Sequence, residues 1–487
     1  MERHEKNINW VVLLLALALA SGITGCGQEE NLTSDTSNGS QAITSETESE
    51  QLSDDVPALN FEGAEFKTII QSSTVYDMYV AEATGDVLSD SIHKRNAKIS
   101  ERFNVKIAEP TSLSFGDLSN LVKQSVQAGD AEWDLILGQM EQSGKDAQSG
   151  IYMNWYDIPY VNFDKPWWPK SFKDVGTVNG KMYLAMSDLC VSFAEQTWAM
   201  VFDKAETQNR GITNVYDMVE SGDWTMDQLN KLTKDVYIDA NNNGNKDPED
   251  YFGYTTEDAG CQLAAYFYGF NQKLAAVEDD KVVMKLNSEK AAQICDKLYS
   301  LFQNPGTLNI SKESDKSLRL RFQFQKGRTM FSPIQLQHCY SVLRDYENDY
   351  GIIPFPKWDE KQEEYYSITD AGCNVLAVPV TAKNIEMTGA IVEALSAESY
   401  FSVMPVYCET ALGIKGARDE ESRKILQMVL DNRYIDFSYL YDGWEGWTFN
   451  LQPFVENEGV FASTYASKKD KVQSYYDSVF KFFYDEK

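Results

Sequence analysis

Asp134-Leu135-Ile136-Leu137-Gly138 is an unbroken apolar run closed by glycine, and it reads as a buried strand. Two earlier segments match it: Lys67-Thr68-Ile69-Ile70-Gln71 and Asn104-Val105-Lys106-Ile107. A helical pattern separates each pair. From Val87 to Phe103, Leu88, Ile92, Ile99 and Phe103 share one face, and Leu118, Leu121, Val122 and Val126 mark a second helix. Strand, helix, strand, helix, strand predicts an α/β fold with a parallel sheet. Ligands of such sheets sit beyond the carboxyl ends of the strands. That points to the loops Ser72-Ser73-Thr74 and Gln139-Met140-Glu141-Gln142.

The rest of the chain continues in kind. Asn179-Gly180 predicts a hairpin turn. Strands are expected at Thr197–Lys204, Gln325–Phe331, Gly351–Pro354 and Asn374–Val378. Thr225 and Gln228 fit a capping box at a helix start. Further helices are expected at Asn287–Phe302, Ile385–Leu395 and Lys468–Phe483. No repeat of fixed period is present.

The first 25 residues read as a leader. Trp10–Ala20 is wholly apolar, too short for a spanning helix, which needs ~20 residues. Ile23-Thr24-Gly25-Cys26 follows and resembles a bacterial lipobox. The resemblance implies cleavage after Gly25 and lipidation of Cys26, with a diacyl anchor on the outer face of the membrane. Residues 26–60 then read as a disordered acidic linker; from Gln28 to Pro57 there are eight carboxylates and no Lys, Arg or aromatic residue. The formal net charge of −30 argues against nucleic acid as a partner and against direct attraction to anionic lipid. Membrane contact is therefore expected through the lipid alone. Aromatics make up 13% of the 487 residues, offering many flat apolar faces. Six cysteines follow Cys26 and allow three disulfides or six free thiols.

In order and spacing, several segments resemble the extracellular solute-binding proteins of carbohydrate-type ABC importers. They are Arg95–Val105, Asp134–Gly138, Asn179-Gly180-Lys181-Met182-Tyr183, Phe202-Asp203-Lys204, Asp223-Trp224-Thr225, Phe324–Phe331 and Gly351–Pro356. The resemblance covers residues 61–487 and implies a two-lobed periplasmic-binding-protein type II fold. Hinge crossings are expected near Asp188–Trp198 and Asp370–Asn374. Lobe one would comprise residues 61–195 and 374–420, and lobe two residues 196–373 and 421–487. The implied function is capture of a sugar or oligosaccharide and its delivery to ABC permease subunits by a tethered monomer. A secreted glycan-active hydrolase and an adhesive surface lipoprotein are the alternatives.

Sugar faces stack on aromatic rings, and hydroxyls need fixed donors and acceptors. Candidates near strand ends and crossings are Gln139, Asp188, Trp198, Gln335, Asp370, Tyr407, Trp444 and Trp447. No GxSxG, HExxH or Walker motif occurs, and His338 and Cys339 read as structural, so no catalytic residue is expected and the chain is read as a binder rather than an enzyme.

A separate motif spans Asp239–Asp250. Its side-chain oxygens fall at loop positions 1, 3, 5, 9 and 12 (Asp239, Asn241, Asn243, Asp247, Asp250), with Gly244 at position 6 and the Asn245 carbonyl at 7. That spacing suits a structural Ca²⁺.

Overall fold

Leu135, Ile136 and Leu137 are fully buried, as a strand covered on both faces requires. The computed structural model describes residues 52–311, 313–315, 317, 319–412 and 420–484. Cys26, the leader and residues 26–51 of the expected linker lie outside them.

Two sheets organise the described chain. The first runs in the order Asn374–Ala377, Leu135–Gln139, Thr68–Gln71, Thr111–Leu113. Its last three strands are parallel, and Asn374–Ala377 is antiparallel to its neighbour. The second runs Thr307–Asn309, Tyr251–Thr256, Thr329–Gln335, Trp198–Asp203, Tyr350–Ile353. There Trp198–Asp203 is antiparallel to both neighbours. In each sheet the antiparallel strand is the one that arrives directly from the other lobe. This reciprocal exchange makes the fold a two-lobed α/β arrangement of type II.

The crossings form a small antiparallel ladder of their own. Trp198 N–H donates to the Ile368 carbonyl at 2.8 Å, and Asp370 N–H to the Gln196 carbonyl at 2.9 Å. Tyr434 N–H adds a third pass, donating to the Ser367 carbonyl at 2.8 Å. The C-terminal segment then contacts both lobes. Phe437–Leu440 packs on the helices Met140–Ala147 and Lys170–Gly176, and the helix Phe461–Tyr484 packs on Lys281–Met284 and Glu289–Gln303.

Local chemistry explains the helix limits. Asp86 caps the helix Val87–Phe103 by accepting from Ser89 N–H at 2.8 Å, and Asn104 ends it at φ +46°. Thr225 accepts from Gln228 N–H at 3.3 Å, as the capping-box spacing predicts. Asn179 and Gly180 have φ of +49° and +67°, the left-handed pair that a tight hairpin turn needs.

Three details differ from expectation. Val105–Ile107 is a strand, but it pairs with Ala64–Phe66 rather than joining the main sheet. Thr111–Leu113 takes that edge instead; its mostly exposed residues carry no apolar pattern to announce it. The end of the expected disordered linker is docked. Asp54 pairs with Arg102, whose guanidinium also donates to the Val56 carbonyl at 2.8 Å, and Asp55 lies 2.5 Å from Lys165. Val56 is buried beneath them. The six cysteines after Cys26 are all unpaired.

Candidate functional site

Asp370 follows the second crossing directly and ties it to two other elements. Its Oδ2 accepts from Trp198 Nε1 at 3.2 Å and from Gln335 Nε2 at 2.9 Å, and its Oδ1 accepts from Gly372 N–H at 2.9 Å. Trp198 begins the strand after the first crossing, and Gln335 ends the strand Thr329–Gln335. All three line one cavity of about 270 Å³.

The second lobe supplies the charged wall of that cavity. Glu257 lies just beyond the carboxyl end of Tyr251–Thr256, and Arg319 and Arg321 flank the start of the helix Leu320–Gln325. Burial raises the Glu257 carboxyl, and the two guanidinium groups oppose that rise. His338, just past Gln335, also lines the cavity. Its imidazole is pushed down to about 4 by burial and by Arg321, whose Nη1 lies 3.4 Å away, so it is neutral near pH 7. Cys339, next to it, is packed in the core.

The first lobe brings a different chemistry. Gln139 ends the strand Leu135–Gln139, and Glu141 lies in the first turn of the helix that follows. Glu141 is only 3% exposed, and its Oε1 accepts no hydrogen bond. Burial, then the charges of Asp442 and Asp370, push its carboxyl up to about 9. Asp442 is also buried; its Oδ2 accepts from Thr448 N–H at 2.7 Å, while its Oδ1 has no partner. Beside them Trp444 is 39% exposed and held at φ +63°. Its ring centroid lies 6.2 Å from that of Phe115, itself 43% exposed, just past the strand Thr111–Leu113. Both rings are part-exposed, and Lys145 Nζ lies 5.8 Å from the Trp444 ring centroid.

The structure therefore gathers Trp198, Gln335 and Asp370 in one cavity, and it places Gln139 and Trp444 at the first lobe's strand ends. Three expected residues lie elsewhere. Trp447 is fully buried, stacked on Tyr465 at 5.2 Å with Nε1 3.2 Å from the Met284 sulfur. Tyr407 is packed in a second apolar cluster with Cys339 and Tyr350. Both are built into the core because large rings fill volume between helices, and sequence alone does not separate that use from ligand stacking. Asp188 does not line the cavity; its carboxyl is pushed up to about 7 by burial, with Arg433 drawing it back. Glu257, Arg319, Arg321, Phe115 and Asp442 were not foreseen. Glu257 would have followed from recognising Tyr251–Thr256 as a strand.

The loop Asp239–Asp250 folds around its own oxygens. The Asp239 carboxylate accepts from Asn243 N–H at 3.2 Å and Gly244 N–H at 2.9 Å. Asn241 and Asn243 each accept from the N–H two residues on, at 3.0 and 2.7 Å. Asp247 accepts from Asn243 Nδ2 at 2.7 Å, and Asp250 from Ala240 N–H at 3.0 Å and Tyr237 O–H at 2.9 Å. Gly244 at φ +76° makes the sharp turn. Among the described residues no group of three or more His, Cys, Asp and Glu is arranged to hold a metal ion. The oxygen donors that a hard cation would use face one another across the loop, engaged with backbone donors.

No protein-family model matches the chain, and no curated protein matches it. Solved structures do. An ABC substrate-binding protein from Listeria monocytogenes, in complex with cycloalternan, is 12% identical, with 85% of this chain and 98% of that one covered at a TM-score of 0.55. UgpB from Mycobacterium tuberculosis, in complex with glycerophosphocholine, is 12% identical over 85% and 98%, at 0.57. A solute-binding protein of an ABC transporter from Thermotoga lettingae, bound with α-D-tagatose, is 13% identical over 86% and 100%, at 0.54. At these identities the likeness establishes the fold.

Proposed function

We propose that the chain is a non-enzymatic solute-binding protein that captures a sugar or oligosaccharide between its lobes and presents it to an ABC permease. The observation that carries this is the Asp370 junction, where both crossings and a second-lobe strand end meet at one cavity. The residues lining that cavity belong to the second lobe and the hinge. A solute held there would favour the closed form only as the first lobe closes over it and adds contacts. The mix of groups suits carbohydrate: acceptors and donors for hydroxyls, with Trp198, Trp444 and Phe115 for the C–H faces. The fold is shared with structures described as ABC solute-binding proteins of sugars, which supports the same reading.

The test is a thermal-shift screen against mono- and oligosaccharides. A true ligand raises the melting temperature and is recovered unchanged after prolonged incubation. Release of smaller sugars would favour the hydrolase. No response to any saccharide would favour the adhesive reading.

Two parts of the proposal concern features outside the cleft. Cys26 would anchor the protein to the extracellular face of the membrane, with the acidic stretch after it as tether; mass spectrometry of the mature N-terminus tests this. The loop Asp239–Asp250 would take Ca²⁺ through Asp239, Asn241, Asn243, Asp247 and Asp250 and the Asn245 carbonyl. The left-handed Gly244 supports it, as do oxygens already converging on the turn. A calcium-dependent rise in melting temperature, lost in Asp239→Ala, is the expected result.

A further inference from the structure

The second-lobe wall of the cavity carries two guanidinium groups whose donors are largely unspent. Arg319 and Arg321 both line it, one on either side of the first residue of the helix Leu320–Gln325. Among the described residues neither forms an ion pair, and the Arg319 side chain makes no hydrogen bond. Arg321 spends one N–H, from Nη1 to His338 Nε2 at 3.4 Å, and its guanidinium lies 5.0 Å from the Phe322 ring centroid. Arginine has no acceptor, so the imidazole nitrogen accepts that bond and steadies the group. Two acids share the cavity. Asp370 is already satisfied, since its oxygens accept from Trp198, Gln335 and Gly372. Glu257 is close enough for both arginines to act on it, yet it pairs with neither.

With 74 Asp and Glu against 44 Lys and Arg, this chain has acids to spare for its cations. Arg102 pairs with Asp54 and Arg210 with Glu206. At the cavity two guanidinium groups stand together without such a partner, and each fork is shaped for a planar carboxylate. A neutral hydroxyl meets one N–H through one oxygen and brings no charge. A carboxylate takes two N–H groups at once, and charge-assisted bonds are about twice as strong as neutral ones. We propose that the captured solute is an acidic saccharide, with a uronic acid carboxylate against Arg319 and Arg321 and a hydroxyl of the same ring donating to Glu257. This rests on the proposed capture of a saccharide and narrows its class. His338 adds no competing charge, because burial and Arg321 keep it neutral near pH 7. The net charge of −30 repels an anion at long range, so acceptance of this solute depends on the two arginines.

Calorimetric titration at pH 7 tests it with matched pairs that differ only in charge. These are the trimers of galacturonic, glucuronic, mannuronic and guluronic acid, each beside its fully methyl-esterified form. At least one acid trimer is expected to bind tenfold or more tighter than its ester. Replacing both arginines, Arg319→Gln with Arg321→Gln, should bring that pair within threefold. Arg319 is exposed and Arg321 half-buried, so the double variant should fold, and its melting temperature checks this. Esters that bind as tightly as their acids, or an acid preference that survives the double substitution, would overturn the proposal and leave saccharide capture standing. So would failure of every acid trimer while a neutral sugar of the wider screen binds. Failure of all saccharides, acidic and neutral, would overturn both.

Discussion

The indole N–H of Trp198 donates to the Asp370 carboxylate at 3.2 Å, joining the first hinge crossing to the second. The same carboxylate oxygen accepts from Gln335 at 2.9 Å, so one side chain couples the hinge to the floor of the cleft. Asp370→Ala removes the shared acceptor and strands two donors. We expect the free protein to lose about 1–3 kcal/mol in urea unfolding and ligand affinity to fall at least tenfold. Asp370→Asn, which keeps a carbonyl acceptor, should retain most of the stability. Equal stability of Asp370→Ala and the parent would remove the junction from the account.

Stability should rise as pH falls from about 9 to about 6. Burial holds Asp77, Asp188, Asp442 and Glu393 up to about 7, and Glu141 up to about 9. An acid with a higher pKa folded than unfolded binds protons preferentially in the folded state. Its stabilising share is complete below the unfolded pKa and is lost as pH climbs through the folded one. The net charge of −30 acts in the same direction, since neutralising acids relieves self-repulsion. Melting temperatures by calorimetry across this range check it; a flat or reversed profile would contradict the assignment of these groups as buried acids.

Glu393 holds the aromatic segment near residue 167 to the helix Ile385–Glu398. Its carboxylate accepts from Trp167 Nε1 at 3.0 Å, Trp168 Nε1 at 2.9 Å and Asn162 N–H at 3.2 Å. Glu393→Ala leaves buried donors unpaired and should cost about 3 kcal/mol. Glu393→Gln should cost less, because its carbonyl still accepts. Tryptophan fluorescence during denaturation follows both.

Gly144 lets the helix Met140–Ala147 lie against Phe437–Leu440. A Cβ there would come within 2.1 Å of the Leu440 carbonyl oxygen. Gly144→Ala should therefore destabilise by about 3 kcal/mol. Gly116→Ala, where a Cβ meets nothing within 4 Å, serves as the neutral comparison.

Much of the fold is legible because its strands announce themselves. Leu135–Gln139, Trp198–Asp203 and Asn374–Ala377 are continuous buried runs, and the helix Val87–Phe103 has the extent that its apolar spacing predicts. Tyr251–Thr256 escaped because Gly253 interrupts it and its Tyr and Thr hydroxyls break up the apolar run that marks the other buried strands. That glycine is required by packing: a Cβ would lie 2.5 Å from the Thr233 carbonyl oxygen. The site was legible where a residue abuts a crossing, as with Asp370 and Trp198. It was not legible where aromatic type alone was the guide. Trp444 and Trp447 are three residues apart, yet one is open beside Phe115 and the other is stacked in the core on Tyr465. Only the third dimension separates them.

The central claim is that a saccharide draws the two lobes together over the Asp370 junction. Small-angle X-ray scattering of the protein, with and without the best hit of the saccharide screen, measures this most directly. The account predicts a smaller radius of gyration on binding, and no such change in Asp370→Ala at the same ligand concentration. Saturating ligand that leaves the scattering profile unchanged, while calorimetry reports full occupancy, would contradict it.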